Sequence, residues 1–484
     1  FPQQPDTLAL LIDRATADPD EGPRSVALDL LARHFPQQPD TLALLIDRAT
    51  ADPDEGPRSV ALDLLAEHFP QQPDTLALLI DRATADPDEA PRSAALDLLT
   101  EHFPQQPDTL ALLIDRATAD PDEAPRYTAL HLLARHFPQQ PDTLALLIDR
   151  ATADPGEAPR SVALDLLAEH FLQQPDTLAL LIDRATADPD QTPRYLALQR
   201  LARHFPQQPD TLALLIDRAT ADPGEAPRSV ALDLLAEHFP QQPDTLALLI
   251  DRATADPGEA PRSVALELLA EHFLQQPDTL ALLIDRATAD PGEAPRSAAL
   301  DLLAEHFPQQ PDTLALLIDR ATADPDEAPR SVALQRLARH FPQQPDTLAL
   351  LIDRATADPG EAPRSVALEL LARHFPQQPD TLALLIDRAG NEPEPGLRLQ
   401  AFRAWAAVLP ADGVYEAGTR AMEDAHPDVR AGGSWILAFG CPRDLRARTL
   451  LNERAQNDLE PDVRSAASDA LTAAELLAPA ETQM

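Results

Sequence analysis

Between Pro39 and Ala51 the apolar residues Leu42, Leu45, Ile46 and Ala49 fall at i, i+3, i+4 and i+7, one face of a helix, and Leu44 widens that face enough to predict burial on two sides. Pro39 suits a first helical turn, and Asp40 complements the positive end of the helix dipole. Asp52-Pro53 ends the segment, because Pro disfavours helix at the residue before it. A second apolar run follows, with Val60, Ala61, Leu62, Leu64 and Leu65, and stops at His68-Phe69-Pro70. Asp54-Glu55-Gly56-Pro57 is then a turn and an acidic helix start, and its carboxylates are expected to cap the second helix. Two short amphipathic helices of this kind bury their faces only against neighbours of the same kind.

Such neighbours are present. The same phrase returns every 34 residues, marked by Phe1, Phe35, Phe69, Phe103, Phe137, Phe171, Phe205, Phe239, Phe273, Phe307, Phe341 and Phe375. A fixed period in this range predicts an all-α fold, a right-handed α-solenoid of stacked two-helix repeats. Near-identical repeats fill residues 1–390. From Gly390 the identity decays while the register persists: Glu392-Pro393 takes the place of Asp-Pro, Arg398 that of the helix-start Arg, and Leu409-Pro410 that of Phe-Pro. Residues 391–484 are expected to form degenerate repeats that cap the open core face. Trp405 and Trp435 are confined to them, and a frayed tail is expected from Pro479.

Comparison of the copies shows where the chain tolerates change. The first helix is invariant through the full copies. In the second, Ser59 is matched by Tyr127 and Tyr195, Asp63 by His131, Gln199 and Gln335, and Glu67 by Arg33, Arg135, Arg203, Arg339 and Arg373. These positions lie at i, i+4 and i+8, one helical stripe. Leu64 is matched by Arg200 and Arg336, and a position that takes Leu or Arg is not expected in deep core. The stripe therefore faces solvent or a ligand. Tyr127, His131, Arg135, Tyr195, Gln199, Arg200, Arg203, Gln335 and Arg336 are the candidate partner contacts, aromatic and Arg side chains being common interface anchors.

Net charge is −41, and no Lys is present. This field disfavours nucleic acid and anionic membrane and favours a basic protein or peptide. The single cysteine, Cys441, excludes an internal disulfide and a cysteine metal cage. It suits a reducing, cytoplasmic setting and reads as an ordinary thiol in a loop. No run of 18 apolar residues predicts a membrane span. The once-per-repeat His34, His68 and His102 read as favourable charges at helix C-termini. Neighbouring helices lie about 8–10 Å apart, too far for two such His to share one metal. Calcium at Asp52, Asp54 and Glu55 is disfavoured, since copies with Gly156, Gly224, Gly258, Gly292 and Gly360 lose a carboxylate. Any acid–base pair recurs in every copy on an open face, so no unique catalytic pocket, cofactor or metal is expected.

The turn Asp-Pro-Asp-Glu-x-x-Arg followed by Ala-Leu-x-Leu-Leu-Ala resembles HEAT repeats, most closely at Pro427-Asp428-Val429-Arg430 and Pro461-Asp462-Val463-Arg464. The resemblance implies a ladder of polar contacts between repeats through Asp52, Arg58, Asp86, Arg92, Asp120 and Arg126. It also implies a binding scaffold and not an enzyme. Two departures stand out: Pro57 where the family has Val, and a turn expected to be two residues longer than in the C-terminal repeats. A 34-residue period is shared with tetratricopeptide repeats, but Leu44 and Asp47 stand where that family has Gly or Tyr. Near-identical arrays with Asp-Arg-Ala-Thr-Ala-Asp-Pro-Asp-Glu resemble the C-terminal sensor regions of actinobacterial NACHT/STAND-type NTPases. The resemblance places this chain, which opens midway through a repeat, in a larger bacterial signalling or defence protein with its NTPase upstream. A phosphate-binding loop needs a Lys that this chain lacks. The alternative is an enzyme on a HEAT-like frame, of lyase or glycosylase type, with its site in the C-terminal repeats. A designed consensus array would carry a more regular cap.

Overall fold

The computed structural model describes residues 5–477; Phe1 and the tail from Pro479 lie outside the described residues. Every described element is a helix, 28 in all, taken in consecutive pairs. In the repeat that defines the register, α3 (Pro39–Ala51) is followed by α4 (Glu55–His68). The pair recurs through α21 (Pro345–Ala357) and α22 (Glu361–His374). It continues as α23 (Pro379–Asn391) and α24 (Pro395–Ala407), α25 (Ala411–Met422) and α26 (Pro427–Gly440), and α27 (Leu445–Asn457) and α28 (Pro461–Leu477). The chain is an all-α solenoid of HEAT-like repeats. Its contacts divide it into an N-terminal block, Phe1–Pro240, and a C-terminal block, Gln241–Met484, and each is described by itself. The expected boundary at residue 390 falls inside the second block.

Within each block the second helices stack directly on one another, while successive first helices touch only lightly. The second helix is therefore the core element: Ala61, Leu62, Leu64, Leu65 and Ala66 of α4 are all buried. The first helix is buried on one side only, along Thr41, Leu45 and Ala49, with Ala43, Asp47 and Thr50 open to solvent. The expected two-sided burial does not occur. Leu44 is covered in α3, but its counterpart Leu78 is only half-buried.

Two polar devices hold the turns. In the Phe-Pro-Gln-Gln-Pro turn the Thr41 hydroxyl donates to the Phe35 carbonyl at 2.9 Å, and the same bond recurs at Thr75 and Thr347. In the turn between paired helices the Asp54 N–H donates to the Asp52 carboxylate at 3.2 Å. Asp54 makes no side-chain cap on α4, so the expected acidic capping is replaced by an inter-repeat ion pair described below. The expected difference in turn length is also absent. Arg58 Nη1 donates to the Asp52 carbonyl six residues back, and Arg464 reaches the Asp458 carbonyl at the same separation. Pro461-Asp462-Val463 thus occupies the places of Glu55-Gly56-Pro57.

In the final repeats Gly433 allows α26 to lie against α25: a Cβ there would stand 2.7 Å from the Met422 backbone nitrogen. Trp405 is enclosed, 2% exposed, stacked on Phe402 with the Arg420 guanidinium over its ring at 5.2 Å. Cys441 stands just past the end of α26, in the expected loop, and is buried there.

Candidate binding face

The joints between repeats are built by the Arg that opens each second helix. Arg92 on α6 (Glu89–His102) is representative: Nε and Nη2 donate to Asp120 of the next repeat at 3.1 and 3.0 Å, and Nη1 donates to the Asp86 carbonyl at 2.8 Å. Arg58 makes the same bridge to Asp86, and Arg126 to Asp154. Asp52 accepts from Arg24 of the repeat before it. These Arg and Asp side chains are nearly fully buried, so the six ladder residues named from sequence are occupied within the solenoid and unavailable to a partner. The joint has two wirings. Where the turn carries a second Asp, as at Asp54, Asp88 and Asp122, the preceding Arg pairs with that carboxylate as well. At Gly156, Gly292 and Gly360 the Glu of the preceding repeat folds into the vacated space, and Glu259 accepts from the Ala294 N–H at 3.4 Å and Glu327 from the Ala362 N–H at 3.2 Å; at Gly224 Gln191 takes that place.

The variable stripe lies one, five and nine residues after that Arg, on the stacked layer of second helices. In the N-terminal block, Tyr127, His131 and Arg135 are exposed together on α8 (Glu123–His136). α10 (Glu157–His170) intervenes, and then α12 (Gln191–His204) presents Arg203 openly and Tyr195 and Gln199 half-buried. Gln335 is exposed on α20 (Glu327–His340) in the C-terminal block.

Arg200 and Arg336 require a correction. Their position is buried in most copies that hold Leu, as at Leu64, Leu98 and Leu166, each under 9% exposed, and half-buried at Leu30 and Leu302. Arg is tolerated because its guanidinium turns back onto the preceding repeat. Arg200 Nε donates to Asp165 at 2.8 Å, and Arg336 pairs with Asp301. Both are consumed by intramolecular ion pairs and are poor candidates for partner contact.

The stripe is acidic between these interruptions, and its carboxylates repel one another. Burial, then the charges of Asp97, Glu101 and Glu67, push the Asp63 carboxyl above its ordinary range. Burial followed by Asp301 does the same to Glu267. For Asp97, burial raises the value, while His131 and Arg135 on the neighbouring helix partly offset it.

A groove of about 370 Å³ opens beside Tyr127, lined by Glu123, Glu157, Ser161, Val162, Asp165 and Thr192. Tyr127 is 43% exposed at its edge, whereas Ser161 is 8% exposed and its hydroxyl has no hydrogen-bond partner among the described residues. A buried hydroxyl without a partner is an uncompensated cost that a ligand acceptor or donor can remove.

Other titratable clusters are bland. Among the described residues no group of three or more His, Cys, Asp or Glu is placed to hold a metal ion, and no helix is long and apolar enough to cross a membrane. His204 is held below its ordinary value by burial and then by Arg203 and Arg200. The crevice that contains His68, between Pro-Gln-Gln-Pro turns, recurs at His340.

Carrying the stripe past Gly390 exposes what the sequence reading missed. Counting five and nine residues from Arg430 places Trp435 and Phe439 where earlier repeats hold Asp63 and Glu67. Their rings stack at 5.5 Å, and Phe439 is 63% exposed. The same count from Arg398 gives Arg403, exposed on α24. The signal was the Arg register, obscured once the repeats lost their identity.

The geometry is that of a HEAT-type helical solenoid with a patterned second-helix layer. A HEAT-repeat family profile matches residues 76–168. No curated protein matches the chain. Among solved structures, the chain is similar to Kap95p, whose binding induces the switch loops of RanGDP to adopt the GTP-bound conformation. The TM-score is 0.60 at 15% identity, covering 97% of this chain and 72% of Kap95p. A Kap121p mutant aligns with TM-score 0.52 at 14% identity over 98% of this chain and 57% of its own. The karyopherin Kap121p bound to the extreme C-terminus of the protein phosphatase Cdc14p aligns with TM-score 0.52 at 15% identity, covering 94% and 56%. The chain thus spans somewhat over half the length of Kap121p, and identities this low speak to the fold.

Proposed function

We propose that the chain is a non-enzymatic protein-binding scaffold whose docking face is the stacked layer of second helices, and that its partner is a basic protein segment. One observation carries the reading. Repeats that are otherwise near-identical differ along the exposed stripe, and at α8–α10 the difference at Tyr127 gives an aromatic edge to a groove that also holds carboxylates and the buried Ser161 hydroxyl, which is unpartnered here as it is at Ser59, Ser93 and other Ser copies. Glu123 and Glu157 supply charge for an Arg or Lys side chain, and the Tyr127 ring offers a face for cation–π contact. The −41 net charge draws such a segment from a distance. That Kap121p, with a similar fold, binds the C-terminus of Cdc14p supports capture of a protein segment. Residues 391–484 act as the C-terminal cap. The scaffold serves as the sensor region of a larger cytoplasmic bacterial protein with an NTPase upstream, an assignment that rests on sequence resemblance alone.

The test is titration of a fluorescein-labelled Arg-rich peptide into the full chain, read by anisotropy. Tyr127→Ala is expected to weaken binding about tenfold, the equivalent of about 1.4 kcal/mol. Unchanged affinity, or no saturable binding by wild type, overturns the reading. Excision of four internal repeats separates scaffold from enzyme: partner affinity falls for the former, and turnover by the C-terminal repeats persists for the latter.

A further inference from the structure

The C-terminal block ends its second-helix layer with a reversal of character. On α16 (Glu259–His272) and α18 (Glu293–His306) the stripe positions hold Glu267, Glu271, Asp301 and Glu305. On α24 they hold Leu399, Arg403 and Ala407, and on α26 Ala431, Trp435 and Phe439. Between α22 and α24 lies a groove of about 520 Å³ lined by Glu369, Arg373, Gln400, Arg403, Ala404 and Ala407. Arg373 spends its charge on Glu369 at 2.6 Å. Arg403 is exposed and makes no ion pair or hydrogen bond among the described residues, in a chain where acids outnumber bases about two to one, 80 against 39. The next helix places the stacked Trp435–Phe439 pair beyond it, with Phe439 mostly in water.

An unpaired guanidinium beside an aromatic pair whose outer ring, Phe439, is exposed is the reverse of the acidic groove at Tyr127. Leaving Phe439 in water forfeits the burial free energy of a large ring, which a partner recovers on docking. The side chains facing this surface are Glu369 and Arg373 from α22, Gln400 and Arg403 from α24, Trp435 and Phe439 from α26, and Asp469 from α28. With Glu369 already neutralised, Arg403 is the open cation on the α24 side of the rings, while Asp469 places a carboxylate on the α28 side, so the acids of a docked segment are expected on the α24 side. We infer that α24 and α26 form a second docking site, for a segment that carries a large apolar side chain flanked by carboxylates. The apolar side chain packs on the Trp435–Phe439 stack, and a carboxylate meets Arg403, whose planar fork donates to it in a bidentate geometry. This inference rests on the reading that the second-helix layer is the docking face, but it uses neither Tyr127 nor a basic ligand.

The experiment uses the full chain and a Trp-free peptide with a central Phe flanked by Asp and Glu. Trp405 is 2% exposed, so a saturable change in Trp emission on titration reports on Trp435. Phe439→Ala is expected to weaken binding about fivefold or more, Phe439→Leu to retain most of it, and Arg403→Glu to weaken it about tenfold or more. A control peptide with Arg in place of the acids is expected to give no such change. Equal affinity in Arg403→Glu and Phe439→Ala, equal binding of the basic control, or a Trp change that depends on protein concentration without peptide each overturns the proposal. Loss of the Trp435 response while the Arg-rich peptide still senses Tyr127→Ala removes this site alone. The converse removes the Tyr127 reading alone.

Discussion

Replacing Arg92 by Met cuts one joint of the solenoid at its most enclosed point. The Arg92 and Asp120 side chains are 4% and 0% exposed. The variant removes two hydrogen bonds to Asp120, the bond to the Asp86 carbonyl and the pairing with Asp122. Asp120 keeps the Asp122 N–H at 3.1 Å and a long contact from Arg116 at 3.4 Å. Stranding one partner of a buried pair costs about 3–5 kcal/mol, and the two residual contacts place this case near the lower bound. Arg33→Ala, which breaks an exposed pair with Asp29, is the contrast, with a cost of no more than about 1 kcal/mol. Because each repeat contacts only its neighbours, the loss stays local. Hydrogen exchange read by mass spectrometry should show amide protection around α6 and α8 falling about a hundredfold, with distant helices unchanged. Adding Asp120→Asn removes the stranded charge and should restore part of the loss. A change no larger than that of Arg33→Ala, or protection lost evenly along the chain, refutes the argument.

Three further outcomes follow from the same geometry. Arg200→Ala releases Asp165 at the edge of the Tyr127 groove, so the Arg-rich peptide should bind more tightly and with a steeper salt dependence, read by anisotropy. Gly292→Asp displaces the Glu259 side chain, whose Cδ lies 2.5 Å from the new Cβ, but offers Arg262 the second carboxylate found at other joints; thermal unfolding should move by less than about 1 kcal/mol, and a loss above about 2 kcal/mol contradicts the two-wiring account. The Arg430 guanidinium holds Asp458 below its ordinary carboxyl range of 3.8, so this pair stabilises the native state at neutral pH and loses its contribution as pH falls through the lowered value. Exchange protection of α26–α28 should therefore decline in acid below pH 3.8.

The helices, their pairing and the exposed stripe are legible in the sequence, because a period of 34 residues leaves one consistent way to bury Leu45, Leu62 and Leu65. What escapes is set by distance between repeats. The tie from Arg58 runs to an Asp 28 residues later, where no local pattern points. Asp54 looks like a helix cap from its neighbours alone, yet the buried Arg24 of the preceding repeat claims it. Leu64 and Arg200 share one position because a long side chain can leave a buried Cα and find a carboxylate, a freedom invisible to substitution patterns. Trp435 and Phe439 look like cap residues until the Arg register is carried across Gly390.

The joints have a direction. Each repeat offers a guanidinium at its trailing edge and a carboxylate at its leading edge, and both wirings accept either neighbour. Any copy can therefore follow any other, much as identical couplers join railway carriages in any order. Inserting or excising whole 34-residue pieces preserves the Arg–Asp coupling at each joint, while a stripe contact such as Arg200 to Asp165 depends on which repeat stands before it. Such a chain can vary its reach between lineages without having to reinvent its fold.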